Sequence, residues 1–290
     1  MLDVTRNARV ATLTIRCPQR RHAMDGSLVH ALVTALRACD ADADVGAIEE
    51  HLFYPTWPLD VGIIRATSTD ESGNLSSEDE PILSSSLAIA LAVKACSGRV
   101  IAQVNRIVGR SSRRAQLARI PGVLIDHVVV VPGQMMGTDV QHDEAYLGGQ
   151  PYSPGQTPCL PLSADKVIAR RAAREVRPGV VSIFGFGASS DAPLVMAEDG
   201  LFDDGRIYDY FLNTEHGSFG GLVMSGWQFS ANLYPETLLD GLDQFDFIDG
   251  SNCRFAALAF ARIDAAGNVN ASRFGSSNPG AGGFIDIAHK

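Results

Sequence analysis

Four stretches of this 290-residue chain are almost uninterrupted in apolar side chains: Val61-Gly-Ile-Ile64, Val100-Ile-Ala-Gln-Val104, Val123 to Val131 and Val180-Val-Ser-Ile-Phe184. A strand with one wet face alternates apolar and polar residues. A strand that does not alternate is buried on both faces, which is the habit of parallel sheets flanked by helices. Segments with helical spacing separate these runs. Leu83 to Ala95 stops at Ser97-Gly98, Val167 to Val176 starts after Ser163-Ala-Asp-Lys and stops at Pro178-Gly179, and Ala192 to Glu198 follows a glycine turn. The expected fold class is therefore α/β, with open, mostly parallel sheets.

The start of the chain reads differently. Val10-Ala-Thr-Leu-Thr-Ile15 alternates as a half-buried strand does, and Arg16 to Arg21 is a basic turn containing Pro18. Ser27 is the expected N-cap of a helix whose Leu28, Leu32, Ala35, Leu36 and Cys39 share one face. Between Gly148 and Leu162 lie four Pro, three Gly and almost no charge, the composition of a connector. The expected organisation is thus a first segment over 1–48, a domain over 49–147, a linker over 148–162 and a second domain over 163–290.

Composition narrows the partners. Twenty-four Lys and Arg against 33 Asp and Glu give a net charge of −9. Phosphate backbones and anionic membrane surfaces need clustered cations, so neither is an expected partner. The nearest basic cluster, four Arg between Arg110 and Arg119, reads as a solvated loop or helix face. No apolar stretch reaches the ~20 residues of a membrane span, and Met1 to Arg6 lacks a secretory signal's apolar core. Five scattered cysteines without a C-x-x-C pair, and seven histidines with no ligand spacing, point to a reducing cytoplasm and no metal site.

Three glycine-bearing segments remain as candidates for chemistry. In Asn213-Thr-Glu-His-Gly-Ser-Phe-Gly-Gly221, Glu215 stands beside His216 and three glycines, Gly217, Gly220 and Gly221. Glycines let backbone approach a ligand closely, and a carboxylate on such a loop can serve as a nucleophile; a surface glutamate on a turn is the alternative. Gly185-Phe-Gly187 directly follows a buried strand, where exposed N–H groups can hold an anion or simply turn the chain. Backbone amides in Pro279-Gly-Ala-Gly-Gly-Phe-Ile-Asp-Ile287, around Gly282 and Gly283, can form an oxyanion hole or a turn before a terminal strand. Between them, Gly267-Asn-Val-Asn-Ala-Ser-Arg-Phe-Gly275 offers Asn side chains to a carbonyl or to its own turns.

From Glu50-His-Leu-Phe-Tyr54 onward the chain resembles the glutamate-dependent (family I) CoA-transferases, particularly single-chain acetate or propionate CoA-transferases. Further stretches that carry the resemblance are Ile64-Arg-Ala-Thr-Ser-Thr-Asp-Glu-Ser-Gly-Asn-Leu75, Val123-Leu-Ile-Asp-His-Val-Val-Val130 and Lys166-Val-Ile-Ala-Arg-Arg-Ala-Ala173. The most specific are Glu215 to Gly221, Gln244-Phe-Asp-Phe-Ile-Asp-Gly250, Gly267 to Gly275 and Gly280 to Phe284. The resemblance implies two α/β domains and a ping-pong exchange of CoA between an acyl-CoA and an acetate-like, short-chain or 3-oxo acid. CoA is then a substrate, with no tightly bound cofactor. It implies Glu215 as nucleophile, a backbone N–H from Gly282 or Gly283 for the oxyanion, and Asn270 facing the thioester. His216 is expected to shape the loop, since a carboxylate needs no base to activate it.

Residues 1–48, including Arg21-His-Ala-Met-Asp25, resemble instead the amino-terminal strand–turn–helix of crotonase-type enoyl-CoA hydratases. The transferases' early Gly-Gly-Phe loop has no counterpart upstream of Val61, and their second domain continues past the position of Ile287. Both transferase domains are therefore expected to be incomplete, with exposed edges that favour a homo-oligomer or other association. A non-catalytic fusion or truncation product, retaining at most CoA binding, is the alternative function.

Overall fold

The computed structural model describes residues 2–7, 10–15, 26–42, 47–51, 57–110, 112–278 and 280–288. The basic turn over 16–21, the motif over 21–25, Cys17 and most of the 50–54 stretch lie outside the described residues. The chain forms two compact units, Met1–Pro58 and Leu59–Lys290, so the first closes at Pro58 rather than at residue 48.

In the first unit, strand Leu2–Asn7 pairs antiparallel with Val10–Ile15, which pairs parallel with Ala47–His51. Helix Gly26–Asp40 makes the crossover that a parallel pair requires. Leu13 and Cys39 are buried, with Leu32, Ala35 and Leu36 packed against them. The helix starts at Gly26, so Ser27 lies in its first turn instead of capping it.

The second unit holds the expected parallel sheets. Arg99–Val104 lies between Val61–Arg65 and His127–Val130, both parallel to it. Helix Ser86–Ala95 covers one face, with Val93 so close to Gly62 that a Cβ there would lie 2.7 Å from its Cγ2. The other face differs from expectation: Val61 and Ile63 are 55% and 73% exposed, so this sheet is covered on one side among the described residues. The apolar run from Val123 is also broken. Gly122–Leu124 is a turn of 3-10 helix, because Gly122 is pressed against the Ser72–Gly73 backbone and Asp126 accepts from the Val100 amide.

A mixed four-stranded sheet, Arg106–Val108, Ser68–Asp70, Leu75–Ser76 and Ala118–Ile120, follows in space. Arg113 is not solvated as expected. Its guanidinium donates to Ser68 Oγ and to the Asn74 carbonyl, and its side chain is 12% exposed.

The five-stranded sheet is ordered Thr237–Leu238, Ser218–Phe219, Phe211–Asn213, Val181–Phe184, Phe255–Ala257. Its last three strands are parallel, and Ser218–Phe219 turns back antiparallel on Phe211–Asn213. Helix Ala164–Ala173 is capped by the Ser163 hydroxyl, which accepts from the Lys166 amide at 3.1 Å. The stretch 148–162 is irregular but tied down, with the Tyr152 ring edge-on to Phe202 and Tyr234 and Gln156 accepting from the Tyr234 hydroxyl. The chain ends in helix Phe284–Ala288 and not in a strand; one face is buried, through Ile287 against Ile183, Ile248 and Cys253.

Candidate active site

Ligands of open α/β sheets bind beyond the carboxyl ends of the parallel strands. The five-stranded sheet delivers two of the expected segments there. Strand Val181–Phe184 runs into Gly185-Phe-Gly187, and strand Phe211–Asn213 runs into the Glu215 loop. Thr214 to Gly217 form a tight turn, closed by the Gly217 amide donating to the Thr214 carbonyl at 3.3 Å. Glu215 and His216 are the two residues at its tip.

The glycines of this loop serve the turn. Gly217 and Gly221 have φ of +92° and +66°, and a Cβ on them would lie 2.3 Å from the Leu239 carbonyl oxygen and 2.2 Å from that of Leu233. Any side chain would push the hairpin off the segment 233–239, so glycine is required by both conformation and space. The Gly217 and Gly220 amides are spent on the Thr214 and Leu212 carbonyls. They fix the loop rather than offer donors to a ligand.

Two buried amides to which the sequence assigned no role hold the loop in place. Gln244, fully buried on helix Gly241–Asp249, donates to the Thr214 carbonyl at 2.9 Å. Asn232 donates to the Gly220 carbonyl at 2.7 Å. A glutamine on the core face of an amphipathic helix was the visible signal, since a buried amide needs a partner.

Gly283 lies far along the chain from Glu215, yet it packs against its carboxylate. A Cβ added to Gly283 would stand 2.5 Å from Glu215 Oε2 and 3.3 Å from Phe245 Cζ. Glu215 is half-buried in this arrangement. Gly282, with φ of +57° and open space around it, makes the turn that brings Gly283 in.

His216 is packed edge-on to Phe229, ring centroids 6.1 Å apart, and Phe186 also packs edge-on to Phe229 at 5.6 Å. Burial holds the imidazole below its usual range, with the Glu215 charge pulling weakly the other way. A half-buried ring packed on Phe229 is compatible with the loop-shaping role.

Two expected donors, Gly185 and Asn270, are occupied elsewhere. The Gly185 amide donates to the Ala257 carbonyl at 2.9 Å as a continuation of the sheet, so it is not a free anion donor, while Gly187 turns the chain with its carbonyl accepting from Ser190. Asn270 closes its own turn, donating to the Arg273 carbonyl at 2.7 Å while its oxygen accepts from the Arg273 amide. Local turns of this kind are what Asn side chains offer most readily. Among the described residues no group of three or more His, Cys, Asp or Glu is placed to hold a metal ion, and no helix is long and apolar enough to cross a membrane.

Beside the hairpin lies a cavity of about 270 Å³, lined by Phe229, Ser230 and Ala231 on one side and by Arg65 and Glu80 among others. Glu80 is 7% exposed and pairs with Arg65 Nε at 2.9 Å. Thr67 and Gln134 donate to its other oxygen at 3.3 and 3.2 Å. Burial outweighs these partners and pushes the carboxyl from 4.5 up to about 7. Between those two pH values the folded chain holds a proton that the unfolded chain has released. Stability is therefore expected to fall as pH rises from about 4.5 through about 7, by on the order of 3 kcal/mol in all. Urea unfolding against pH should show this slope in the parent and its loss in Glu80→Gln.

Residues 46–131 match the family model described as coenzyme A transferase. Caffeate CoA-transferase of Acetobacterium woodii is 36% identical over 247 residues, which cover 82% of this chain and 46% of that protein. Acetate CoA-transferase YdiF of Escherichia coli K12 is 36% identical over 241 residues, covering 83% and 44%. The crystal structure of acyl-CoA transferase (YdiF) apoenzyme from Escherichia coli O157:H7 superposes with a TM-score of 0.67 at 35% identity, over 81% of this chain and 42% of that one. The thioester complex of that enzyme with CoA gives the same TM-score at 34% identity, over 81% and 44%. The chain is thus similar to coenzyme A transferases over most of its length and spans a little under half the length of the curated proteins it matches.

Proposed function

We propose that the chain carries the nucleophile of a CoA-transferase of the glutamate-dependent type, and that Glu215 is that nucleophile. The observation that supports this reading is the convergence of Gly283 on the Glu215 carboxylate. A glycine pressed against a half-buried carboxylate leaves room for a carbonyl at the carboxylate, with backbone beside it in place of a side chain.

The chemistry suits a carboxylate. Glu215 attacks the thioester carbonyl of an acyl-CoA, forming a mixed anhydride and expelling the CoA thiolate. The thiolate then attacks the glutamyl carbonyl, releasing the first acid and leaving a glutamyl-CoA thioester. The second acid attacks that thioester, and the returning thiolate takes its acyl group and frees Glu215. One thioester is exchanged for another at each turnover, so the energy of the bond is conserved. Related chains named for acetate and for caffeate mark the range of acids within which the substrate is sought. The segment over 1–48 is read as the crotonase-like strand–turn–helix, with no catalytic part in the exchange.

Mass spectrometry tests the reading. After incubation with acetyl-CoA or a longer acyl-CoA, the peptide containing Glu215 should carry a glutamyl-CoA thioester that hydroxylamine removes. Its absence with both donors would sink the assignment.

A further inference from the structure

The cavity beside the Glu215 hairpin has no part in the chemistry described above, and Glu215 does not line it. It is nevertheless joined to both flanks of Glu215. Phe229, in its lining, packs on His216, and Ser230, also in its lining, accepts from Thr214 Oγ1 at 3.1 Å. Its remaining walls combine apolar side chains, Ile82, Leu83, Met136 and Val140, with hydroxyl-bearing residues such as Ser84 and Thr138.

One wall is different. Arg65 and Glu80 line this cavity and also a second one of about 260 Å³, whose other walls include Asn105, Arg106 and His142. The pair thus stands between two cavities of mixed lining, the first the more apolar of the two. Arg65 Nε faces Glu80 and Nη2 donates to the Met135 and Met136 carbonyls, which leaves Nη1 without a protein partner among the described residues. Above about pH 7, where Glu80 is ionised, the guanidinium's charge is balanced and its spare donors suit a neutral acceptor better than a second anion.

Size gives the second constraint. About 270 Å³ corresponds to roughly nine water-sized units, far more than a two-carbon acyl group fills. A short acyl chain would leave apolar walls unpaired or wet, whereas a longer one buries its methylenes at ~0.8 kcal/mol each.

We propose that this cavity holds the acyl chain of the acid exchanged at Glu215, and that Arg65 and Glu80 select chains of about six carbons with a hydrogen-bonding group at the far end over acetyl. The proposal rests on the reading of Glu215 as nucleophile, so its test uses binding, which needs no turnover.

Trp227, 85% exposed, lines the cavity, and Trp57 is the other tryptophan of the sequence. In a Trp57→Phe background of the full chain, quenching of Trp227 fluorescence reports occupancy. The probes are 6-hydroxyhexanamide, hexanamide and acetamide, neutral amides that keep the acyl chain without placing a second anion beside Glu215. The expected order is 6-hydroxyhexanamide tightest, hexanamide about fivefold weaker or more, and acetamide without saturable quenching. Gly137 lines the cavity with nothing within 4 Å of a Cβ, so Gly137→Phe should fill it and abolish quenching by both long amides. Removing Arg65 alone would leave the buried Glu80 carboxyl without its charged partner, so the two are replaced together as Arg65→Met with Glu80→Leu. That variant should bind hexanamide and lose the preference for the hydroxyl. Equal quenching by acetamide and the long amides, no quenching by any of them, or an unchanged hydroxyl preference in the double variant would overturn the proposal. The glutamyl-CoA assay is read separately. An adduct without chain preference refutes the cavity assignment alone, and chain preference without an adduct refutes only the nucleophile.

Discussion

Glu215→Gln should form no CoA adduct and should lower the rate of CoA exchange by about 10⁴-fold or more, with thermal unfolding close to the parent's. The carboxamide fills the same space at the hairpin tip, and the turn is held by the backbone, through the Gly217 amide on the Thr214 carbonyl and Gln244 on the same oxygen. What is lost is the nucleophile. Glu215→Asp separates chemistry from charge. It keeps a carboxylate but draws it back by about one methylene, and a displacement of ~1 Å from a productive geometry costs on the order of 10²-fold. An aspartyl adduct should therefore form slowly, giving a graded series of Glu, Asp and Gln. Equal rates in all three would remove Glu215 from the mechanism, and a Gln variant that unfolds early would assign it a structural role instead.

How much of this was legible beforehand depends on the range of the interaction. The parallel strands were, because runs of apolar residues such as Val100 to Val104 mark them, although in that sheet the burial of Val100, Ala102 and Val104 alternates with half-buried neighbours. The turn at Gly122 was not, because it arises from a close approach to Ser72 and Gly73, fifty residues earlier in sequence. Glu215 could be singled out from its glycine-rich neighbours, yet those glycines turned out to serve the hairpin's contact with segment 233–239. Asn270 and Gly185 looked available as donors because a sequence does not show where a side chain or amide is already spent. The Arg65–Glu80 pair was not legible: one residue closes an apolar strand and the other follows Glu78-Asp79, and only the fold sets the partly exposed guanidinium on the buried carboxyl.

Gly283→Ala is the sharpest test of the geometry around Glu215, because its effects on activity and on stability should part company. The added methyl would stand 2.5 Å from Glu215 Oε2, closer than any real Cβ contact, and 3.3 Å from Phe245 Cζ. Something has to move, and the two candidates differ in stiffness. Phe245 belongs to helix Gly241–Asp249, whose Gln244 is locked onto the Thr214 carbonyl, whereas the Glu215 carboxylate is the free end of a half-buried side chain. The carboxylate yields by swinging away, at little cost in folding. The reaction pays instead: a carboxylate displaced by about 1 Å, and a methyl where the carbonyl would sit, should lower the rate of adduct formation by on the order of 10²-fold. Gly280→Ala provides the contrast, since its φ of +92° makes alanine strained while nothing lies within 4 Å of its Cβ. It should cost about 1 kcal/mol in stability through backbone strain, the loss that Gly283→Ala avoids. Rapid-quench measurement of the glutamyl-CoA thioester, set beside urea unfolding of the same two variants, reads both quantities. If Gly283→Ala unfolds early and its surviving fraction forms the adduct at the parent rate, Gly283 packs the fold and leaves the reacting carboxylate untouched.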